Sequence, residues 1–96
     1  MISLERACRI AAKRTDRIGL PWTGKFMRIR DMGDCWVFDP EWVGDCPTGG
    51  GLPQVSKGLG ICTGAPGGHA NYLKRRDAPT VEVPPAWRID TSSRPV

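Results

Sequence analysis

No stretch of this chain approaches the roughly 18 consecutive apolar residues that a membrane-spanning helix requires. Its opening segment, Met1 to Arg14, carries Glu5, Arg6, Arg9, Lys13 and Arg14 where a secretory signal would hold an uninterrupted apolar centre. The two absences predict a soluble, cytoplasmic protein with no membrane partner. The cysteines, Cys8, Cys35, Cys46 and Cys62, include no CxxC spacing, the arrangement by which one turn presents two sulfurs to a metal. Four reduced thiols are therefore the expectation, with two disulfides as the alternative if the chain is exported. Also missing are the HxE and PCxxC elements of a zinc deaminase, the GxSxG elbow of a hydrolase, and helix-turn-helix, RNP or zinc-finger patterns. No internal repeat is present.

What remains is a chain of 96 residues, 40% hydrophobic and 25% charged. That balance suits one folded domain over residues 1–96. Twelve glycines and nine prolines imply short elements joined by irregular loops. Pro84, Pro85 and Pro95 mark a tail from about residue 84 that frays toward Val96. The net charge of +4 is unevenly spread. Residues 1–30 and 51–96 are basic, whereas residues 31–50 hold Asp31, Asp34, Asp39, Glu41 and Asp45 with no Lys or Arg. Such a layout serves either internal pairing of the acidic middle with its basic flanks or a bipolar surface that orients a charged partner.

Residues 3–17 read as a helix. Ser3 is placed to cap its first turn and Glu5 suits the positive end of its dipole. Leu4, Ala7, Cys8, Ala11 and Ala12 make one apolar stripe, and Gly19 with Pro21 supplies the stop. Alternation over Lys25–Arg30 sets Met27 and Ile29 opposite Phe26, Arg28 and Arg30. With the turn Asp31–Asp34 and the strand Cys35–Phe38, this predicts a hairpin whose second strand ends at Asp39-Pro40. Residues 44–52 read as a loop. Gln54–Lys57 and Leu59–Thr63 are candidates for a second hairpin or one irregular strand, Ala70–Arg76 for a short helix or strand, and Thr80–Val83 for the last strand. The expected fold is α+β: one N-terminal helix packed on a three- to five-stranded, mainly antiparallel sheet.

Three chemical patterns fail on context. Gly19-Leu-Pro-Trp-Thr-Gly24-Lys25-Phe26 matches GxxxxGK, but Phe26 replaces the Mg²⁺-binding hydroxyl, and a helix precedes where a phosphate loop needs a strand. Gly58, Gly60 and Gly64 resemble a dinucleotide loop without its βαβ unit. Cys35, Cys46, Cys62 and His69 supply four ligand types without the paired spacing of a structural zinc site. Cys62 and His69 also form a nucleophile–base pair on paper, with glycine amides at 64–68 as an oxyanion hole; a buried thiol and a surface histidine explain the same residues. No cofactor or metal is called for, and no enzyme.

The aromatic and basic residues point to binding. Trp36 sits within a strand and belongs to the core. Trp22, Trp42 and Trp87 lie in or beside Pro- and Gly-rich segments, where a loop can expose a large ring to a partner. Arg28 and Arg30 share one strand face and Lys74, Arg75 and Arg76 are contiguous. These eight residues are the candidate partner-binding set. With Arg6, Arg9, Lys13 and Arg17 on the helix and a pI near 9.2, nucleic acid is the rival partner class, although no aromatics interleave with the cations as base stacking requires.

Trp36-Val37-Phe38, followed by Gly51, Pro53, Val55, Lys57 and Gly60, resembles the WVF strand and GxP…V…K…G stretch of small bacterial YrhB-like immunity proteins. The resemblance implies a helix on a curved antiparallel sheet and a role in neutralising another protein. It names no site residues, and the basic charge departs from the acidic surface of nuclease-toxin inhibitors. The expected function is a small non-catalytic inhibitor of a larger protein, either a toxin-immunity protein or a phage-encoded inhibitor of a host defence system such as an anti-CRISPR. The alternative is a basic nucleic-acid-binding accessory protein.

Overall fold

A computed structural model describes residues 1–19, 21–44 and 52–89. The loop expected over 44–52, with Cys46 and Gly51, lies apart from its ends outside the described residues, as does the end of the tail.

The first helix, α1 (Leu4–Ile18), starts where Ser3 accepts a hydrogen bond from the Arg6 amide, 3.2 Å away. It stops at Gly19, whose φ of 78° is the left-handed conformation that a side chain makes costly. Ala7, Cys8, Ala11, Ala12 and Thr15 form its buried face. Their small side chains let the helix backbone approach the sheet closely. Thr15 satisfies its buried hydroxyl by donating to the Ala11 carbonyl at 2.9 Å.

Strands β1 (Trp22–Asp31) and β2 (Cys35–Trp42) form the expected hairpin. β3 (Pro53–Ser56) and β4 (Cys62–Gly64) form a second hairpin, although Leu59–Ile61, expected to begin its second strand, belong to the turn region between the two strands. The segment at 70–76 is helical, as α2 (His69–Asp77), and β5 (Thr80–Val81) is shorter than the expected strand. The antiparallel sheet runs β4-β3-β2-β1-β5. The fold is therefore α+β, one N-terminal helix on a five-stranded sheet, with α2 added on the connection from one sheet edge to the other.

Two expectations for the first hairpin fail. Simple alternation put Met27 beside Ile29, opposite Phe26, yet Phe26 is 1% and Ile29 0% exposed while Met27 is 53% exposed. The cause is a bulge. Phe26 pairs with Pro40 and Arg28 with Asp39, so Met27 and Arg28 together oppose one residue of β2. A second irregularity lies between Trp22 and Phe26, where Gly24 takes a φ of 84°. The extra residue lets Phe26 and Ile29 both face α1. Asp39-Pro40 also does not end β2, which continues to Trp42. The described ladder with β3 covers only Cys35–Val37. Beyond it, the missing N–H of Pro40 breaks no bond of that ladder.

The core lies between α1 and one sheet face: Ala7, Cys8, Ala11 and Ala12 against Phe26, Ile29, Trp36, Phe38 and Val55. Phe26 is the hub of its rings, with centroids 5.1 Å from Phe38, 5.3 Å from Trp22 and 5.8 Å from Trp87. The expected tail thus divides. Pro84 is buried, Trp87 closes a 3-10 turn (Pro85–Trp87) onto Phe26, and Phe26 bridges to Arg88. None of the described helices is long and apolar enough to cross a membrane.

Phe38 is fully buried at the centre of this packing. Phe38→Ala is expected to lower unfolding free energy in urea by about 3–5 kcal/mol, while Leu59→Ala, at a position 81% exposed, stays within about 0.5 kcal/mol of the parent.

Candidate binding cleft

The outer face of the sheet, away from α1, carries Arg28, Arg30 and Asp39. The Asp39 carboxylate accepts a hydrogen bond from Arg30 Nη1 and forms an ion pair with Arg28, whose Nε lies 3.2 Å away. This is the internal pairing that the acidic stretch allowed. Asp31 follows the same rule on the neighbouring turn: it accepts from Lys57 Nζ at 2.7 Å and from the Gly33 amide at 2.9 Å. The Lys57 ammonium, then that amide, hold the Asp31 carboxyl below the ordinary carboxylate range. Lys57 Nζ also lies 5.3 Å from the Trp36 ring centroid, within cation–π range.

Helix α2 stands over this outer face. Tyr72, Arg75 and Arg76, at i, i+3 and i+4, share one side of it, and together with Met27, Arg30, Asp39, Pro40, Glu41, Trp42, Gly44 and Leu52 they border a cleft of about 510 Å³. The helix is tied mainly to the loop before it, since Arg75 Nη1 donates to the Pro66 carbonyl at 2.7 Å and Asn71 Nδ2 to the Gly67 carbonyl at 2.8 Å. It contains no buried residue. Its last-turn cations, Lys74, Arg75 and Arg76, sit at the negative end of its dipole. Among the described residues Arg75 has no carboxylate partner; Arg76 pairs with its neighbour Asp77 at 3.1 Å.

Of the eight candidate residues, the fold brings Arg30, Trp42, Arg75 and Arg76 to the cleft and Arg28 beside it through Asp39. Lys74 is exposed on α2 but does not line the cleft. Trp22 and Trp87 are elsewhere, half-buried against Phe26 at the core edge, with Trp22 Nε1 donating to Asp16 at 2.8 Å. Met27, Leu52 and Tyr72 were not anticipated. Tyr72 was accessible through its helical spacing to Arg75 and Arg76, had that segment been read as a helix; Met27 was hidden by the bulge. Glu41 on the cleft rim accepts from the Thr23 hydroxyl at 2.8 Å.

Burial disfavours the thiolate of all three described cysteines, Cys62 of the nucleophile–base pair among them. Burial pushes the Cys8 thiol up to about 12 and the Cys35 thiol up to about 11, the latter helped by Asp34. Burial also raises Cys62, against the opposing pull of Arg14 and Arg17. His69 is exposed and stacks on Tyr72, ring centroids 6.3 Å apart. Among the described residues no group of His, Cys, Asp and Glu side chains is placed to hold a metal ion.

The raised thiols have a signed consequence. Cys8 and Cys35 prefer the protonated form in the folded state more than in the unfolded chain, so their contribution is intact below the ordinary thiol value of 9.0 and is lost as pH climbs toward about 11 and about 12. Urea midpoints should therefore fall between pH 9 and 11, and Cys8→Ala should flatten that fall; an unchanged slope in the variant would assign it to other groups.

Comparison with family models, curated proteins and solved structures finds no match to this chain.

Proposed function

We propose that the chain is a non-catalytic binding protein that neutralises a larger protein by holding an acidic, partly apolar segment of it between α2 and the outer sheet face. One observation carries this reading: a cleft of about 510 Å³ combines Trp42, Tyr72, Met27 and Leu52 with Arg75, whose guanidinium meets a carbonyl but no carboxylate among the described residues. Trp, Tyr and Arg are the residues that dominate binding energy at protein interfaces, because a large rigid ring or a planar cation gains much contact for little lost rotamer freedom. The floor is pre-set by the Arg28–Asp39–Arg30 cluster, which fixes Arg30 before any ligand arrives. Arg75 and Arg76 on the wall then attract carboxylates, and the rings receive the apolar side chain next to them.

A toxin-immunity protein or a phage-encoded inhibitor of a host defence complex, in the manner of an anti-CRISPR, is the class that fits a chain whose binding features are shape and charge. The resemblance at Trp36-Val37-Phe38 to YrhB-like immunity proteins supports the first of these.

The test is capture from a nuclease-treated lysate of the source cell at raised salt, followed by titration of the purified pair. Trp42→Ala with Arg75→Glu is expected to weaken the purified complex at least about 30-fold, the loss typical of an interface hot spot. A partner held equally well by that variant, or one lost on nuclease treatment, would remove the cleft from the reading.

A further inference from the structure

The second charged surface of the molecule is on the other side. Arg6, Arg9, Lys13 and Arg17 recur along α1 at steps of three, four and four residues. At ~100° per residue these positions fall within an arc of about 80°, and at ~1.5 Å per residue they run for about 16 Å along the axis. All four are exposed, on the side of α1 opposite Ala7, Cys8, Ala11 and Ala12. Among the described residues none of the four joins an ion pair. Arg6, Arg9 and Lys13 surround a shallow depression with Ile10 at its base. The acid nearest the C-terminal end of the row, Asp16, is engaged by the Trp22 indole.

Because α1 and α2 cover opposite faces of the sheet, this row and the Lys74–Arg76 cluster do not form one track. The row has to be explained alone. We infer that the outward face of α1 is a sequence-independent docking surface for the phosphate backbone of double-stranded DNA.

Three features select that occupant. The row carries no aromatic ring, which removes base stacking and with it single strands. Its four cations suit phosphate oxygens, contacts that position a duplex without specifying its sequence. And most of the apolar stripe of α1 is consumed by the sheet, with Ile18, 40% exposed, the large apolar side chain it leaves open, so the helix has little to bury in a lipid interface. A protruding helix with long cationic side chains reaches the phosphate walls of the wide B-form major groove, whereas the deep, narrow groove of duplex RNA excludes it.

The experiment is fluorescence anisotropy of the full chain with two 20-base-pair DNA duplexes of unrelated sequence, over a range of salt. If the four cations each neutralise one phosphate, log K falls against log salt with a slope of about −3.6, the same for both duplexes. Arg9→Glu with Lys13→Glu is expected to weaken binding at least tenfold and to reduce that slope by about half. Arg17→Ala, a milder change at an exposed position, should lower the slope by about one; its thermal melt and that of the double variant establish that each is folded.

Trp42→Ala with Arg75→Glu should leave DNA binding unchanged. This separates the inference from the cleft, since either can fail without the other. No duplex binding at low salt, a slope that the α1 variants do not alter, loss confined to the cleft variant, or α1-dependent binding to anionic phosphatidylserine vesicles but not to DNA would each overturn it.

Discussion

The extra residue at Met27–Arg28 decides which side chains face the helix and which face the cleft. A regular strand shows alternate residues to each side, so Phe26 and Ile29, three apart, would lie on opposite faces. The bulge shifts the phase by one and gives both to the core, where Phe26 meets Phe38, Trp22 and Trp87. The same shift turns Met27 outward, to the face where Arg28 and Arg30, two residues apart, already meet Asp39. A domain of this length has little apolar surface to bury, and a core short of one of these residues would lose several kcal/mol of a stability that is about 5–15 kcal/mol in all. Core and cleft are thus two outcomes of one irregularity in β1.

The remaining geometry follows from the strand order. β4 and β5 occupy opposite edges, so the chain between them has to cross the sheet, and the face under α1 is filled. It crosses the outer face, where α2 is fastened by Asn71 and Arg75 to its own preceding loop and by no buried side chain. A helix held in this way leaves a gap beneath it. The floor of that gap is rigid because Asp39 ties two arginines, while its wall is a helix with few constraints.

The elements that were legible in the sequence are those whose signals are local and redundant. For α1 the apolar stripe, the Ser3 cap and the Gly19 stop agree, and the helix lies within one residue of its expected bounds. The first hairpin is legible from its aromatic and β-branched runs around a glycine-containing turn, whereas the short strands of the second, PQVS and CTG, carry too few such residues to separate a hairpin from one irregular strand. What was not legible depends on tertiary context. Met27 is apolar and fits an alternating pattern, and nothing within KFMRIR marks the inserted residue; Gly24 announces only the other irregularity. Pro40 reads as a strand end unless it is known that the described pairing of β2 with β3 reaches only Val37. α2 is too short for its period to be read, which hid the alignment of Tyr72 with Arg75 and Arg76. Trp22 and Trp87 show the converse: flanking glycines and prolines suggest exposure, while both rings pack against Phe26.

Methionine oxidation mapped by mass spectrometry on the native protein tests the bulge most directly. With the bulge, the thioether of Met27 is open to peroxide and oxidises at a rate near that of exposed Met1. Strict alternation would put Met27 beside Ile29 under α1. Oxidation of Met27 only on unfolding would contradict the bulge, and with it both the composition of the core and the existence of the cleft.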